Sequence, residues 1–352
     1  MAFKHLVAVL ALFLGLVIAV TASVDWSPTA VQDPARTIGV DAQSVVRFGE
    51  SGDRLPFSYL ELIMFISVGL IFLVAGIILW RNRPRLSPGT LLVAAGLLWM
   101  AGGFRRSSDP SLFTVGVIMS WMYQPPLLQL ALSFPYGGQP GRATRWFVRF
   151  FYVSWLTITV LEWVFFDPRL HVRSGESTSR NLLLIRDDIG LTHGIGDAVL
   201  TFQLCTGIVI VVLLVSRWRS GTPAYRAAFL PLWLAVLVKT LTAMWIALAV
   251  VQVPGPLTLA AILLQYPATG GVALANLVGL WRYRFARGYL GELMVEIGDT
   301  LSATVWSGLS GKPSAIRLLG CGSGPVSARV TLMKTENLAR CPSRGRDVPP
   351  WF

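Results

Sequence analysis

Charged residues in this chain fall in clusters, and between the clusters run apolar stretches of about 15–24 residues. No single water-soluble core can hide that many long apolar runs. A helix of about 20 apolar residues crosses about 30 Å of hydrocarbon, so the pattern predicts a chain that passes through a membrane several times. Only 14% of the 352 residues are charged, against roughly 25% in a typical soluble domain. Soluble, disordered, collagen-like and disulfide-framework classes are thereby excluded. Three cysteines at unhelpful spacing give neither a disulfide framework nor a metal-binding pattern.

Eight stretches satisfy or approach the length of a span: Leu6–Ala22, Leu60–Trp80, Thr90–Phe104, Leu112–Phe134, Phe147–Phe166, Ala198–Val215, Phe229–Val251 and Leu257–Leu280. The third is the shortest. The fold class expected is an all-α polytopic bundle of about eight transmembrane helices, followed by a short amphipathic helix and an irregular tail. The corresponding divisions are 1–22, a first span or a cleaved signal peptide; 23–59, an outer loop; 60–280, a seven-helix bundle; 281–300, a juxtamembrane helix; and 301–352, a tail without regular structure. The outer loops at 23–59 and 167–197 are mixed in charge and show little periodicity.

Loop charges set the orientation. With the N-terminus inside, the inner loops hold Arg81, Arg83, Arg85, Arg142, Arg145, Arg149, Arg217, Arg219, Arg226, Arg282, Arg284 and Arg287, and no acid. The outer loops hold 9 arginines against 11 acids. This positive-inside asymmetry places the C-terminal segment in the cytoplasm of a cell-membrane protein. The net charge of +12 therefore reflects topology, and no nucleic-acid partner is expected. Trp80, Trp146, Trp163 and Trp281 stand at predicted helix ends, as an interfacial aromatic belt would require.

An ionisable group at membrane depth costs about 2.5–3.5 kcal/mol on insertion scales, so each needs an account. Lys239 is the strongest case, because it lies near the middle of the seventh span. It is either a ligand or switch residue facing the bundle interior, or a structural lysine satisfied by carbonyls, Gln203 or Asn276. Glu61 and Glu162 lie near outer span ends and are expected to snorkel to the headgroups. Gln124, Pro125 and Pro126 interrupt the fourth span, as a kink or a cavity wall. Gly271, Ala275 and Gly279 recur every four residues, a spacing that lets helices approach closely. His171 and His193 with Asp187, Asp188 and Asp197 match no metal-ligand pattern. No catalytic, cofactor-binding or metal site is expected. Leu290, Leu293, Met294 and Ile297 form one apolar helical face after the last span, a candidate signalling helix.

Two segments resemble the membrane-bound sensor histidine kinases of two-component systems in high-GC Gram-positive bacteria. Leu130-Ala-Leu-Ser-Phe-Pro-Tyr-Gly-Gly138, with Arg142 and Arg145 following, is similar to that family's loop after the fourth span. Arg287-Gly-Tyr-Leu-Gly-Glu-Leu-Met-Val-Glu-Ile-Gly298 is similar to its linker after the last span. The resemblance covers about residues 1–300 and implies a membrane sensor of signal transduction, with the lipid bilayer, a second copy or a full-length kinase as partners. No histidine follows His193 and no ATP-binding box is present, so the resemblance carries kinase activity to no residue here and implies a truncated sensor. The last 52 residues hold seven Ser, six Gly, five Pro and five Arg against two acids, Glu336 and Asp347. Out-of-frame translation of a GC-rich gene would leave such a composition, as would an ordinary flexible tail. The alternative from another class is a small transporter or lipid-binding membrane protein built on Lys239 and the interrupted fourth span.

Overall fold

The structure, a computed structural model, describes residues 3–51, 58–82, 88–133, 141–171, 180–252 and 260–282. Among these the chain is all-helical. In chain order the helices are α1 (Phe3–Ser23), α2 (Pro28–Gln32), α3 (Ala42–Ser51), α4 (Tyr59–Asn82), α5 (Pro88–Gly102), α6 (Pro110–Met119), α7 (Gln124–Ser133), α8 (Arg142–Val164), α9 (Pro168–His171), α10 (Ile189–Ser220), α11 (Pro223–Gln252) and α12 (Ala260–Arg282). Two 3-10 turns, Pro34–Arg36 and Gly103–Arg106, complete the set.

Among the described residues six helices are long and apolar enough to cross a membrane: α1, α4, α8, α10, α11 and α12. The other two of the eight expected spans take different forms. The third is α5, whose 15 residues extend about 22 Å at 1.5 Å per residue. The fourth is divided into α6 and α7, ten residues each, by the turn Ser120–Tyr123. The prolines do not kink a continuous helix. Pro125 and Pro126 occupy the first turn of α7, where a missing N–H costs nothing. Non-helical backbone is tolerated at membrane depth where protein or a cavity surrounds it, and in this turn Ser120 and Tyr123 are buried while Trp121 lines a cavity.

The long helices carry apolar side chains on their outward faces as well, such as Leu14, Ile18, Val153, Val212, Leu234 and Leu241. Such faces suit a hydrocarbon surrounding. In lipid, helix association relies on packing and hydrogen bonding rather than on apolar burial. The α4–α5 hairpin shows how. A Cβ at Gly89 would stand 2.6 Å from Trp80 N, and one at Gly76 would stand 2.9 Å from Val93 N, so the two backbones touch. The expected small-residue seam on α12 is different: a Cβ at Gly271 meets nothing within 4 Å. There α12 is lined up on α4 instead by Gly270, which faces Val68 and Ile71.

The segment after α1 does not stay irregular. Val24 bridges Ser107, and residues 28–51 fold into a cap of two short helices and a 3-10 turn. Ala35, Val40, Val45, Val46 and Phe48 pack there against Phe113, Trp163, Phe166 and Ile262. Trp163 is therefore fully buried rather than part of an interfacial belt, whereas Trp146 and Trp281 are exposed. The 180–188 stretch closes the same end: Asn181 donates to the carbonyls of Trp163 and Phe166, and His171 pairs with Asp187 at 2.9 Å.

Candidate functional site

Beneath the cap lies a cavity of about 120 Å³. Its walls come from the α6–α7 turn and from α7, α8, α10, α11 and α12, and its roof from residues 39–44. The lining is mostly apolar and aromatic, with Trp121, Phe151 and Trp155 on one side and Val236, Ala243, Met244 and Ile246 on the other. Gln124, Gln203, Gln265, Thr206 and Thr240 supply the neutral polar groups.

Lys239 lines this cavity from the middle of α11. It is 9% exposed, and its Nζ has no hydrogen-bond partner among the described residues. The polar groups around it bond elsewhere: Thr240 Oγ1 donates to Val236 O, Gln265 Nε2 donates to the Tyr123 hydroxyl at 3.1 Å, and Asn276 Nδ2 donates to Val272 O, while Asn276 Oδ1, like the lysine, has no hydrogen-bond partner among the described residues. What Lys239 faces is the Tyr123 ring, 5.8 Å from the ammonium to its centroid, a cation–π distance.

The roof is held in place from several sides. Gly39 adopts φ +83°, a conformation that favours glycine, and its backbone passes close to the Gln265 side chain, 3.3 Å from an added Cβ to Oε1. Asp41 caps α3 by accepting from Ser44 N and Ser44 Oγ. Gln43 Nε2 donates to Asp197 Oδ1 at 2.9 Å and tethers the roof to α10.

Two buried charge clusters flank the cavity. In the first, Arg106 Nη2 donates to Glu61 Oε1 at 2.6 Å, and the Tyr266 hydroxyl donates to the same oxygen at 2.6 Å. Trp99 packs edge-on against both Tyr266 and Tyr123, and donates its Nε1–H to Phe65 O at 2.8 Å. In the second, Arg105 is fully buried. Its Nε donates to Ala35 O at 2.7 Å and its guanidinium lies 4.9 Å over Trp163. Loss of water pulls the Arg105 pKa down to about 10 against the nearby charges of Asp41, Glu162 and Asp33, so it stays cationic at neutral pH. Arg105 Nη1 and Nη2 and Glu162 Oε1 have no hydrogen-bond partner among the described residues.

The sequence-derived candidates thus separate. Lys239 and Gln124 come together in the cavity; Pro125 and Pro126 are buried at the start of α7 and line no part of it. Glu61 and Glu162 do not snorkel. At 7% and 3% exposure they are inside the protein, each facing an arginine that follows α5. Leu290, Leu293, Met294 and Ile297 lie outside the described residues. Arg105, Arg106, Tyr123, Gln265 and Tyr266 were not foreseen; the one available signal was a pair of arginines directly abutting an apolar run. Among the described residues no group of three or more His, Cys, Asp or Glu is placed to hold a metal ion. Compared with protein-family models, curated proteins and solved structures, the chain matches none.

Proposed function

We propose that this integral membrane protein is a sensor whose stimulus is a small ligand held in the capped cavity, with α12 carrying the response out of the membrane. The observation that supports this best is Lys239: a lysine without a hydrogen-bond partner among the described residues, lining a cavity walled by five helices. Burying an amine unpaired is costly, and a ligand supplies the missing partner. The walls belong to five helices, so occupancy biases how those helices pack, and a ligand that prefers one arrangement shifts the population toward it. The similarity of residues 130–138 and 287–298 to membrane sensor kinases supports the direction of that output. Gln265 and Tyr266 of α12 touch the cavity and the Glu61–Arg106 pair respectively, which gives α12 a reason to move when the cavity fills.

Native mass spectrometry of the full chain released from its own membranes tests this. The wild type should carry a small-molecule adduct that Lys239→Met loses while keeping its helical circular dichroism. Identical spectra for the two would remove the support. The α6–α7 interruption facing the cavity favours a second reading, transport, since broken helices line transporter sites. Ligand-driven uptake into proteoliposomes, abolished in Lys239→Met, would select that reading over sensing.

A further inference from the structure

Resting on the reading of the cavity as a ligand site, we propose that its ligand is a small monocarboxylate with an apolar body, the carboxylate on Lys239 and the body against Trp121, Phe151 and Trp155. The charge inventory carries the argument. Lys239 is the one cationic residue lining the cavity among the described residues, and Asp41 is the one acid. An internal Lys239–Asp41 pair would satisfy both, but the Lys239 ammonium has no hydrogen-bond partner among the described residues, and Asp41 instead caps α3 through its Oδ1 and lies within the field of the buried Arg105. The lysine is therefore left for a partner from outside the chain.

Three properties of that partner follow. It carries a single negative charge, because a dianion would leave one charge unanswered in a mostly apolar cavity that also contains Asp41. Phosphate sites gather several cations or a bidentate arginine, and this cavity has neither. It hydrogen-bonds, because Gln124 of α7 and Gln203 of α10 line the cavity with amides. Its remainder is apolar and compact: the cavity of about 120 Å³ is somewhat smaller than the engineered cavity of roughly 150 Å³ that takes benzene, too small for a two-tailed lipid.

Isothermal titration of the full-length chain in phosphatidylcholine nanodiscs, with empty nanodiscs as the blank, tests the assignment. The probes are hexanoate and phenylacetate, their neutral isosteres hexanamide and phenylacetamide, and the dianions adipate and phenyl phosphate. The carboxylates should bind about tenfold or more tighter than the amides, as a hydrogen bond to a charged group implies, and the dianions should bind more weakly than either carboxylate. Lys239→Met should erase the carboxylate preference. Because that variant could misfold, the carboxylate–amide ratio on the wild type stands as an independent measure. Equal binding of amides and carboxylates, or tighter binding of a dianion, would overturn the ligand class while leaving the cavity a binding site. No heat from any probe would overturn both the class and the site. A carboxylate series from butyrate to dodecanoate separates the sources: an optimum at short length marks a soluble metabolite, and affinity rising with length beyond lipid partition marks a fatty acid reaching in from the bilayer.

Discussion

Breaking the Glu61–Arg106–Tyr266 cluster should cost far more than removing it whole. The ion pair is 2.6 Å long, and its side chains are 9% and 4% exposed. At an effective dielectric constant of 20 the attraction at that distance is about 6 kcal/mol before desolvation is subtracted. Arg106→Met leaves a carboxylate buried with only the Tyr266 hydroxyl on it, and the expected loss is about 3–5 kcal/mol. Tyr266→Phe removes one hydrogen bond to a charged acceptor, an expected loss of about 1.5–3 kcal/mol. The triple variant Glu61→Met, Arg106→Met, Tyr266→Phe leaves no charge stranded and should recover most of the single-variant loss. Equilibrium unfolding in mixed micelles, titrated with SDS and followed by tryptophan fluorescence, reads all three. The reasoning is refuted if Arg106→Met loses less than about 1 kcal/mol, or if the triple variant is no more stable than Arg106→Met alone.

Other consequences are equally open to measurement. Gly116→Ala places a methyl on the backbone of Phe104 and Arg105; overpacking of this kind costs about 1–3 kcal/mol, visible as a lowered midpoint in the same titration. Phe48→Ala should open the cap by removing its largest apolar anchor, about 3–5 kcal/mol, and hydrogen exchange should rise across 28–48 while the long helices stay protected. Asp25 is held below the usual carboxylate range: burial opposes this, but hydrogen bonds from Ser27 and Arg36 outweigh it. A depressed folded pKa gives stability above the unfolded value near 3.9 that is lost as pH falls through the folded value. The Val24–Ser107 junction should therefore loosen below about pH 4, and Asp25→Asn should make its hydrogen exchange less dependent on pH. Tyr123→Phe frees Gln265 Nε2 without removing the ring that Lys239 faces, so cavity ligands should weaken less than in Lys239→Met when both are titrated.

The long helices were legible because each needs only its own composition: twenty apolar residues read as a span wherever they pack. The two spans that came out short depended on partners instead. Nothing in Thr90–Phe104 says that Arg105 and Arg106 will be drawn into the protein, because that requires Ala35 O, Trp163 and Glu61 to meet them from distant parts of the chain. The cap was missed for the same reason. Its first helix is only five residues long, the amphipathic face of α3 lies in a stretch that reads as a loop by composition, and its apolar residues have meaning only against Phe113, Trp163 and Phe166. Lys239 was legible as an anomaly, since a lone charge in an apolar run must be explained, and Gln124 was legible as a break. Their convergence on one cavity was not, because 115 residues separate them. Glu61 and Glu162 were misread by depth: near a span end water is the usual partner, yet here arginines arrive first.

The cap also imposes an order on biosynthesis. Phe48 leaves the ribosome 115 residues before Trp163, and Ile262 follows 99 residues after that. At about 5–20 residues per second the cap segment waits on the order of ten seconds for its first wall and a similar time for its last. Arg105 and Arg106 pass through the same interval without their final surroundings. Until α8 and α12 arrive, this half-made protein presents an unroofed hollow, an uncovered phenylalanine and two adjacent guanidinium groups. That exposed surface disappears only when α12 is seated.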